Sequence, residues 1–188
     1  MTKYLLHGGM TSYKSKHNDE YFRQMLELSG NGKILACYYS RPEEIWEELL
    51  EDDRRKFEKA ANGKEFELVL GKEDAQKLAE QMEKAGTIYF RGGDTGLLLE
   101  RLMPIRDRLL KLFHNKTISG SSAGAMMLAK YSRSLDKNAN INGFGILPIK
   151  VFVHYSDEHK ENLEKLKKHN ENLEVYTIAE TEFIVIER

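Results

Sequence analysis

The chain predicts an α/β fold in which a largely parallel sheet is covered by helices on both faces. Two observations carry the prediction. Apolar runs of strand length alternate with amphipathic stretches along the 188 residues. Glycine-rich turns also follow apolar runs directly, at Arg91-Gly92-Gly93-Asp94 and at Gly120-Ser121-Ser122-Ala123-Gly124. Strand, turn and helix in repetition make βαβ units, whose right-handed crossovers set neighbouring strands parallel. No Pro/Gly/Ser linker, internal repeat or low-complexity segment divides the chain, so residues 1–188 are expected to form one domain.

The expected strands are 3–7, 33–39, 66–70, 87–91, 116–119, 149–154, 173–178 and 183–186. The best-marked helix is expected to begin at Ser40, with Pro42 in its first turn and Glu43 completing a capping box. Its core face carries Ile45, Trp46, Leu49, Leu50 and Phe57, and Gly63 is its stop. Ala75, Leu78, Ala79 and Met82 form the stripe of the next helix. Pro104 should break or kink the stretch 95–113. The run 125–129 is apolar and continues the Ser122 turn as a helix. The stretch 157–170 has only Leu163 and Leu166 as large apolar residues, which predicts a mostly solvated surface helix.

Composition narrows the function. Hydrophobic residues make up 40% and charged residues 31%, as in a globular chain with a real core. A formal net charge of −1 gives no electrostatic case for nucleic acid or an anionic membrane. Arg54-Arg55-Lys56 follows Glu51-Asp52-Asp53 and reads as a solvated helix face. Cys37 is the lone cysteine, so it has no disulfide partner within the chain, and it lies in an apolar run as a buried strand residue. Tyr4-Leu5-Leu6 is too short for a signal peptide, and no apolar run reaches membrane-spanning length. A soluble cytoplasmic protein is expected, as a monomer or homodimer.

The chemistry centres on Ser122. A Gly-x-Ser-x-Gly frame between a strand and a helix lifts one hydroxyl off a sheet end, and its small residues allow the strained backbone close to its neighbours. The serine also sits at a helix N-terminus, where free N–H groups favour developing negative charge. The competing reading is a glycine-rich turn that binds phosphate or simply packs. A serine nucleophile needs a base. Of six histidines, His154 directly follows an apolar strand and should project from a strand end on the rim that carries Ser122. The alternative is a histidine packing at a strand terminus. His7 starts a Gly-Gly turn, His17 lies in the polar loop before the first helix, and His114, His159 and His169 fall at helix ends or on the surface.

The carboxylate that would orient the base is less determined. Asp157 and Glu158 fit a helix start, while Glu180 and Glu182 follow the strand 173–178, and placement does not choose between this last pair. Oxyanion donors are expected from the N–H groups of Ala123, Gly93 and Gly92. Asp94 is an ordinary helix N-cap beside that loop and would repel a phosphate. No His/Cys/Asp/Glu set has metal-ligand spacing, and neither a phosphate-loop lysine motif nor a dinucleotide fingerprint is present, so no metal or cofactor is expected.

Gly92-Gly93-Asp94-Thr95, Gly120-Ser121-Ser122-Ala123-Gly124-Ala125, and Gly143-Phe144-Gly145-Ile146-Leu147-Pro148 leading to His154 together resemble peptidase family S51, the dipeptidase E (aspartyl dipeptidase) and cyanophycinase family. Leu6-His7-Gly8-Gly9, Asn18-Asp19 and Phe22 add to the resemblance, which covers most of the chain. It implies a three-layer α/β/α sandwich, flavodoxin-like and related to class I glutamine amidotransferases, with a Ser-His-Glu triad. Carried over, Ser122 is the nucleophile, His154 the base and Glu180 the third member. The implied activity is a serine-type exopeptidase, a dipeptidase, acting on short peptides.

Three departures accompany the resemblance. Asp94 stands where the family often has asparagine and is the candidate substrate-binding residue near the oxyanion loop. The arginine that follows the histidine in aspartyl dipeptidases, where it reads an Asp carboxylate, is absent from Asp157-Glu158-His159-Lys160-Glu161. Lys160 is the candidate replacement, without the planar fork for bidentate binding. Relatives also often continue with more strands beyond the position of Arg188. The alternatives are a serine esterase or amidase on a non-peptide substrate, and a non-catalytic binding protein on the same fold. A glutamine amidotransferase is disfavoured, because its nucleophile is cysteine and Cys37 sits mid-strand.

Overall fold

The structure is a computed structural model that describes residues 1–188. Five parallel strands and one antiparallel edge strand form the main sheet. These are β1 (Lys3–His7), β2 (Lys33–Cys37), β3 (Glu67–Leu70), β4 (Thr87–Phe90), β5 (Thr117–Ser121) and β10 (Phe183–Glu187), in the order β10-β1-β5-β4-β2-β3. A second, four-stranded sheet runs β7-β6-β8-β9, from β6 (Ala129–Ser134), β7 (Ala139–Asn142), β8 (Leu147–Val153) and β9 (Val175–Ile178).

Helices α1 (Lys16–Glu27) and α2 (Trp46–Ala61) pack on each other along the outward run β1-β2-β3. On the return run β3-β4-β5 come α3 (Ala75–Lys84), α4 (Thr95–Leu102) and α5 (Leu109–Phe113). Right-handed crossovers in opposite directions place these two groups on opposite faces, which gives the α/β/α sandwich. Helix α6 (Ala123–Leu128) follows β5 and packs on α4, and α7 (Lys160–Lys167) packs on the second sheet.

One apolar core joins both sheets. Leu5, Ile88 and Ile118 of the main sheet and Ile149, Val151 and Val153 of β8 belong to the same buried cluster. The intervening Phe152 turns to the other face and packs with Tyr131 and Leu166, as strand alternation requires.

Several expectations change at the level of elements. The single sheet is divided in two, because β6 and β7 occupy the segment after Leu128, where no strand was expected. The helix over 125–129 ends at Leu128, and Ala129 opens β6. Ser40 does not cap a helix: its hydroxyl donates to the carbonyl of Arg91 at 2.7 Å, and a 3-10 turn at Glu43–Ile45 precedes α2. Asn62, in the left-handed region at φ 48°, ends α2 one residue before Gly63. His17 lies in the first turn of α1, whose cap is Ser15. Pro104 breaks its stretch as expected, through a 3-10 segment at Met103–Arg108 between α4 and α5. In α7 only Leu166 is buried, in keeping with a solvated helix. The charged face of α2 is not wholly solvated, since Asp53 is fully buried and pairs with Arg91 at 2.7 Å and Lys56 at 3.1 Å.

No helix is long and apolar enough to cross a membrane.

Candidate active site

The carboxyl ends of four adjacent strands meet on one rim, which is where ligands collect in open α/β sheets. In spatial order they carry Gly8-Gly9 after β1, Ser122 after β5, Gly92-Gly93 after β4 and Ser40-Arg41 after β2. Ser122 has φ 46° and ψ −103°, a strained conformation for a residue with a side chain. Glycines make the elbow possible. A Cβ on Gly120 would come within 2.5 Å of Gly124, and one on Gly124 within 2.5 Å of the Phe90 carbonyl. The Ser122 N–H donates to the His7 carbonyl at 2.9 Å, which ties the elbow to β1.

His154 arrives from the second sheet, one residue beyond β8, with φ 54°. Its Nε2 is 2.9 Å from Ser122 Oγ, and its Nδ1 is 3.0 Å from Glu180 Oε1. With the imidazole neutral, Nδ1–H donates to Glu180 and Nε2 accepts the Ser122 hydroxyl proton. The sequence left Glu180 and Glu182 open, and the turn between β9 and β10 separates them. Thr181 sits in the left-handed region at φ 64°, the Glu180 carboxylate faces His154, and the Glu182 carbonyl accepts the Gly8 N–H at 2.9 Å. Asp157 pairs with Lys160 instead.

Gly8-Gly9 is the seam between the two sheets. The Gly8 carbonyl accepts the His154 N–H at 3.0 Å, and the Gly9 carbonyl accepts the Thr181 N–H at 2.9 Å. Side chains are excluded at both positions. A Cβ on Gly8 would lie 1.9 Å from the Ala179 carbonyl oxygen, and one on Gly9 would lie 2.1 Å from the His154 ring. Gly9 also has φ 116°. His7 anchors this segment from below. It is fully buried, its Nδ1 accepts the Gly9 N–H at 3.0 Å, and its Nε2–H donates to Asn18 Oδ1 at 2.8 Å. Burial pushes its pKa down to about 4, so the ring stays neutral. Asn18 then donates to the carbonyls of Met10 and Tyr13 and closes the loop.

Backbone strain concentrates here. Apart from asparagines, the non-glycine residues at positive φ are Met10, Ser122, His154 and Thr181, all at the site or its seam.

The Gly92-Gly93 loop faces the elbow. Neither N–H donates to any protein acceptor, and Ala123, as the first residue of α6, lacks an intrahelical acceptor for its own. Behind the loop, Arg91 binds Asp52 at 2.8 Å and the buried Asp53 at 2.7 Å. Gly93 must be glycine, since a Cβ there would lie 2.3 Å from the Ser40 carbonyl oxygen.

Two cavities open beside Ser122 and His154. One, of about 350 Å³, reaches Glu180, Met126, Ile141, Arg133 and Lys137. The other, of about 340 Å³, reaches Thr11, Ser12, Arg41 and Gly92. Asp94 lines the first, but its carboxylate caps α4 by accepting the Leu97 N–H at 3.0 Å, which holds its carboxyl below the usual range. Lys160 is not brought to the site: it is exposed, 3.5 Å from Asp157, and lines neither cavity. The solvated start of the helical segment after His154 carries it outward. Cys37 is buried and free, and burial pushes its thiol up to about 12, which leaves it no nucleophilic role.

Two arginines not singled out in the sequence line these cavities, Arg133 the first and Arg41 the second. Arg133 lies in an unexpected strand. Arg41 follows a strand on the same rim as the other site loops, and that placement was the available signal.

A family model for peptidase family S51 matches residues 5–188, and the chain belongs to that family. Among solved structures it is similar to a peptidase from an acI-B1 Actinobacterium, at 21% identity and a TM-score of 0.71 over 100% of this chain and 84% of that one. It is also similar to a candidate peptidase E protein from Listeria monocytogenes EGD-e, at 18% identity and a TM-score of 0.63 over 100% of this chain and 99% of that one. No curated protein matches the sequence.

Proposed function

We propose that this member of peptidase family S51 is a cytoplasmic serine peptidase that hydrolyses dipeptides and other short peptides through Ser122, His154 and Glu180. The observation that carries the reading is the continuous chain from Ser122 Oγ to His154 Nε2 at 2.9 Å and from His154 Nδ1 to Glu180 Oε1 at 3.0 Å.

Ser122 Oγ attacks the scissile carbonyl as His154 Nε2 takes its proton, and Glu180 stabilises the imidazolium. The N–H groups of Gly93, Gly92 and Ala123 hold the oxyanion. The intermediate collapses with loss of the C–N bond, and His154 returns the proton to the departing amine. Water then adds to the acyl-enzyme under the same base. Two cavities, of about 350 and 340 Å³, open beside Ser122 and His154 and give room for the groups that flank the scissile bond.

The test is turnover of a dipeptide and aminoacyl p-nitroanilide panel by the wild type and Ser122→Ala, with fluorophosphonate labelling in parallel. The expected result is turnover and labelling that both vanish in the variant. Hydrolysis of esters but no peptide would favour an esterase. Neither turnover nor labelling would favour a binding protein.

A further inference from the structure

Arg41 is held at every point except the two that bind anions. Its N–H donates to the Tyr38 carbonyl at 2.8 Å. Its carbonyl accepts Trp46 Nε1–H at 3.1 Å and Arg101 Nη1–H at 2.9 Å. Its Nε–H donates to the Gly92 carbonyl at 2.7 Å. Nη1 and Nη2 make no hydrogen bond and no ion pair, and the guanidinium lines the cavity that holds Ser122 and His154. The other cations around the site are engaged. Arg91 pairs with Asp52 and Asp53, and Lys137 lies 3.9 Å from Asp94. Arg133 is surrounded by the amide oxygens of Asn138, Asn140 and Asn162. Asp136 is the one carboxylate lining the Arg41 cavity, and it is exposed and unpaired with Arg41.

A guanidinium fixed through Nε presents its two Nη groups as a fork matched to a carboxylate, with much of its rotamer freedom already lost before binding. The fork is tied through the Gly92 carbonyl to the loop of the proposed oxyanion donors and lines the same cavity as Ser122. A dipeptide offers a carboxylate close to the scissile bond in two ways. The terminal carboxylate of the second residue and the side-chain carboxylate of an N-terminal aspartate lie the same number of bonds from the scissile carbon.

We propose that Arg41 is the carboxylate-reading residue of the site, binding one of these two groups through Nη1 and Nη2. The proposal rests on the serine-peptidase reading above.

The experiment compares wild type, Arg41→Met, Arg41→Lys and Arg133→Met on four dipeptides: first residue Asp or Asn, each with a free or amidated C-terminus. Wild type should prefer one carboxylate over its amide by roughly 10- to 100-fold in KM. Arg41→Met should abolish that preference, Arg41→Lys should restore part of it, and Arg133→Met should leave it intact. The contrast that disappears identifies which carboxylate is read. An equal fall in kcat on all four substrates would mean that Arg41 only shapes the loop, and would overturn the proposal. So would a preference that survives Arg41→Met or disappears in Arg133→Met.

Calorimetric titration of Ser122→Ala, with and without Arg41→Met, by the same four peptides separates the two claims. Absence of turnover in wild type would defeat the peptidase reading. Equal binding of acids and amides by Ser122→Ala would defeat the role of Arg41.

Discussion

The two sheets contribute to the site from opposite kinds of environment. The main sheet presents Ser122 from the end of β5, a strand buried at every residue between β1 and β4. The second sheet presents His154 and, through the β9–β10 turn, Glu180, with side chains 29% and 43% exposed. Ser122, the proposed nucleophile, is therefore fixed by close packing, with glycines at each contact that a Cβ would block. His154 and Glu180, the proposed base and its carboxylate, are positioned by backbone hydrogen bonds to Gly8 and Gly9 and by residues held at positive φ. The difference teaches that the alignment of Ser122 with His154 depends on how the two sheets are registered, and that Gly8-Gly9 sets that register.

The sharpest way to break this picture is at the meeting atoms. Ser122→Ala and His154→Ala should each lower kcat roughly 10⁵-fold or more, and the double variant should be no worse than either alone, because the pair acts as a unit. Additive losses would mean that the two sheets do not act through one bond. Glu180→Gln should cost less, about 10²- to 10⁴-fold in kcat, with Glu182→Gln close to wild type. A larger loss at Glu182 would reassign the turn.

On the main-sheet side, Asp53→Ala leaves the buried Arg91 without its closest carboxylate. It should lower stability by about 3–5 kcal/mol in urea unfolding. A loss below about 1 kcal/mol would show that Asp52 alone satisfies Arg91.

The seam has its own pH signature. The His7 pKa is about 4 when folded and near 6.5 when unfolded. Between those values the unfolded chain binds more protons, so stability is full above about pH 6.5 and falls as pH drops toward 4. The loss should reach at most about 3 kcal/mol. Unfolding free energies of wild type and His7→Gln, measured from pH 7 to pH 4, should converge as pH falls. Parallel curves would remove His7 from the seam. The smallest effect is expected at Lys160→Ala, whose exposed pair with Asp157 should leave kcat/KM within about twofold.

Most of the main sheet was legible because its strands are apolar runs bounded by glycine-rich turns. The Ser122 elbow and the Gly92-Gly93 loop were legible for the same reason. Two strands of the second sheet, β8 and β9, were legible as the apolar runs at 149–154 and 173–178, but β6 and β7 were hidden. Ala129–Ser134 reads Ala-Lys-Tyr-Ser-Arg-Ser and Ala139–Asn142 reads Ala-Asn-Ile-Asn, neither with an apolar run to mark a strand. In β6 a buried arginine is satisfied by three asparagines that arrive from β7, its turn and α7, a partnership no local pattern displays.

His154 was found by its place after a strand, although that strand belongs to the second sheet. Glu180 and Glu182 could not be separated from local pattern, because a left-handed Thr181 turns one carboxylate toward the histidine and leaves the other outside. Lys160 came from the resemblance, as the replacement for the arginine that follows the histidine in aspartyl dipeptidases, while Arg41, far from His154 in sequence, shares its cavity.

The register claim is tested most directly at Gly9, where a methyl group would meet the His154 ring at 2.1 Å. Fluorophosphonate labelling rates for wild type, Ser122→Ala and Gly9→Ala, with the labelled peptide mapped and folding checked by circular dichroism, would decide it. The account predicts that the label sits on Ser122, is absent from Ser122→Ala, and forms at least 100-fold more slowly in a folded Gly9→Ala. Labelling of Gly9→Ala at the wild-type rate, or of Ser121 in place of Ser122, would contradict it.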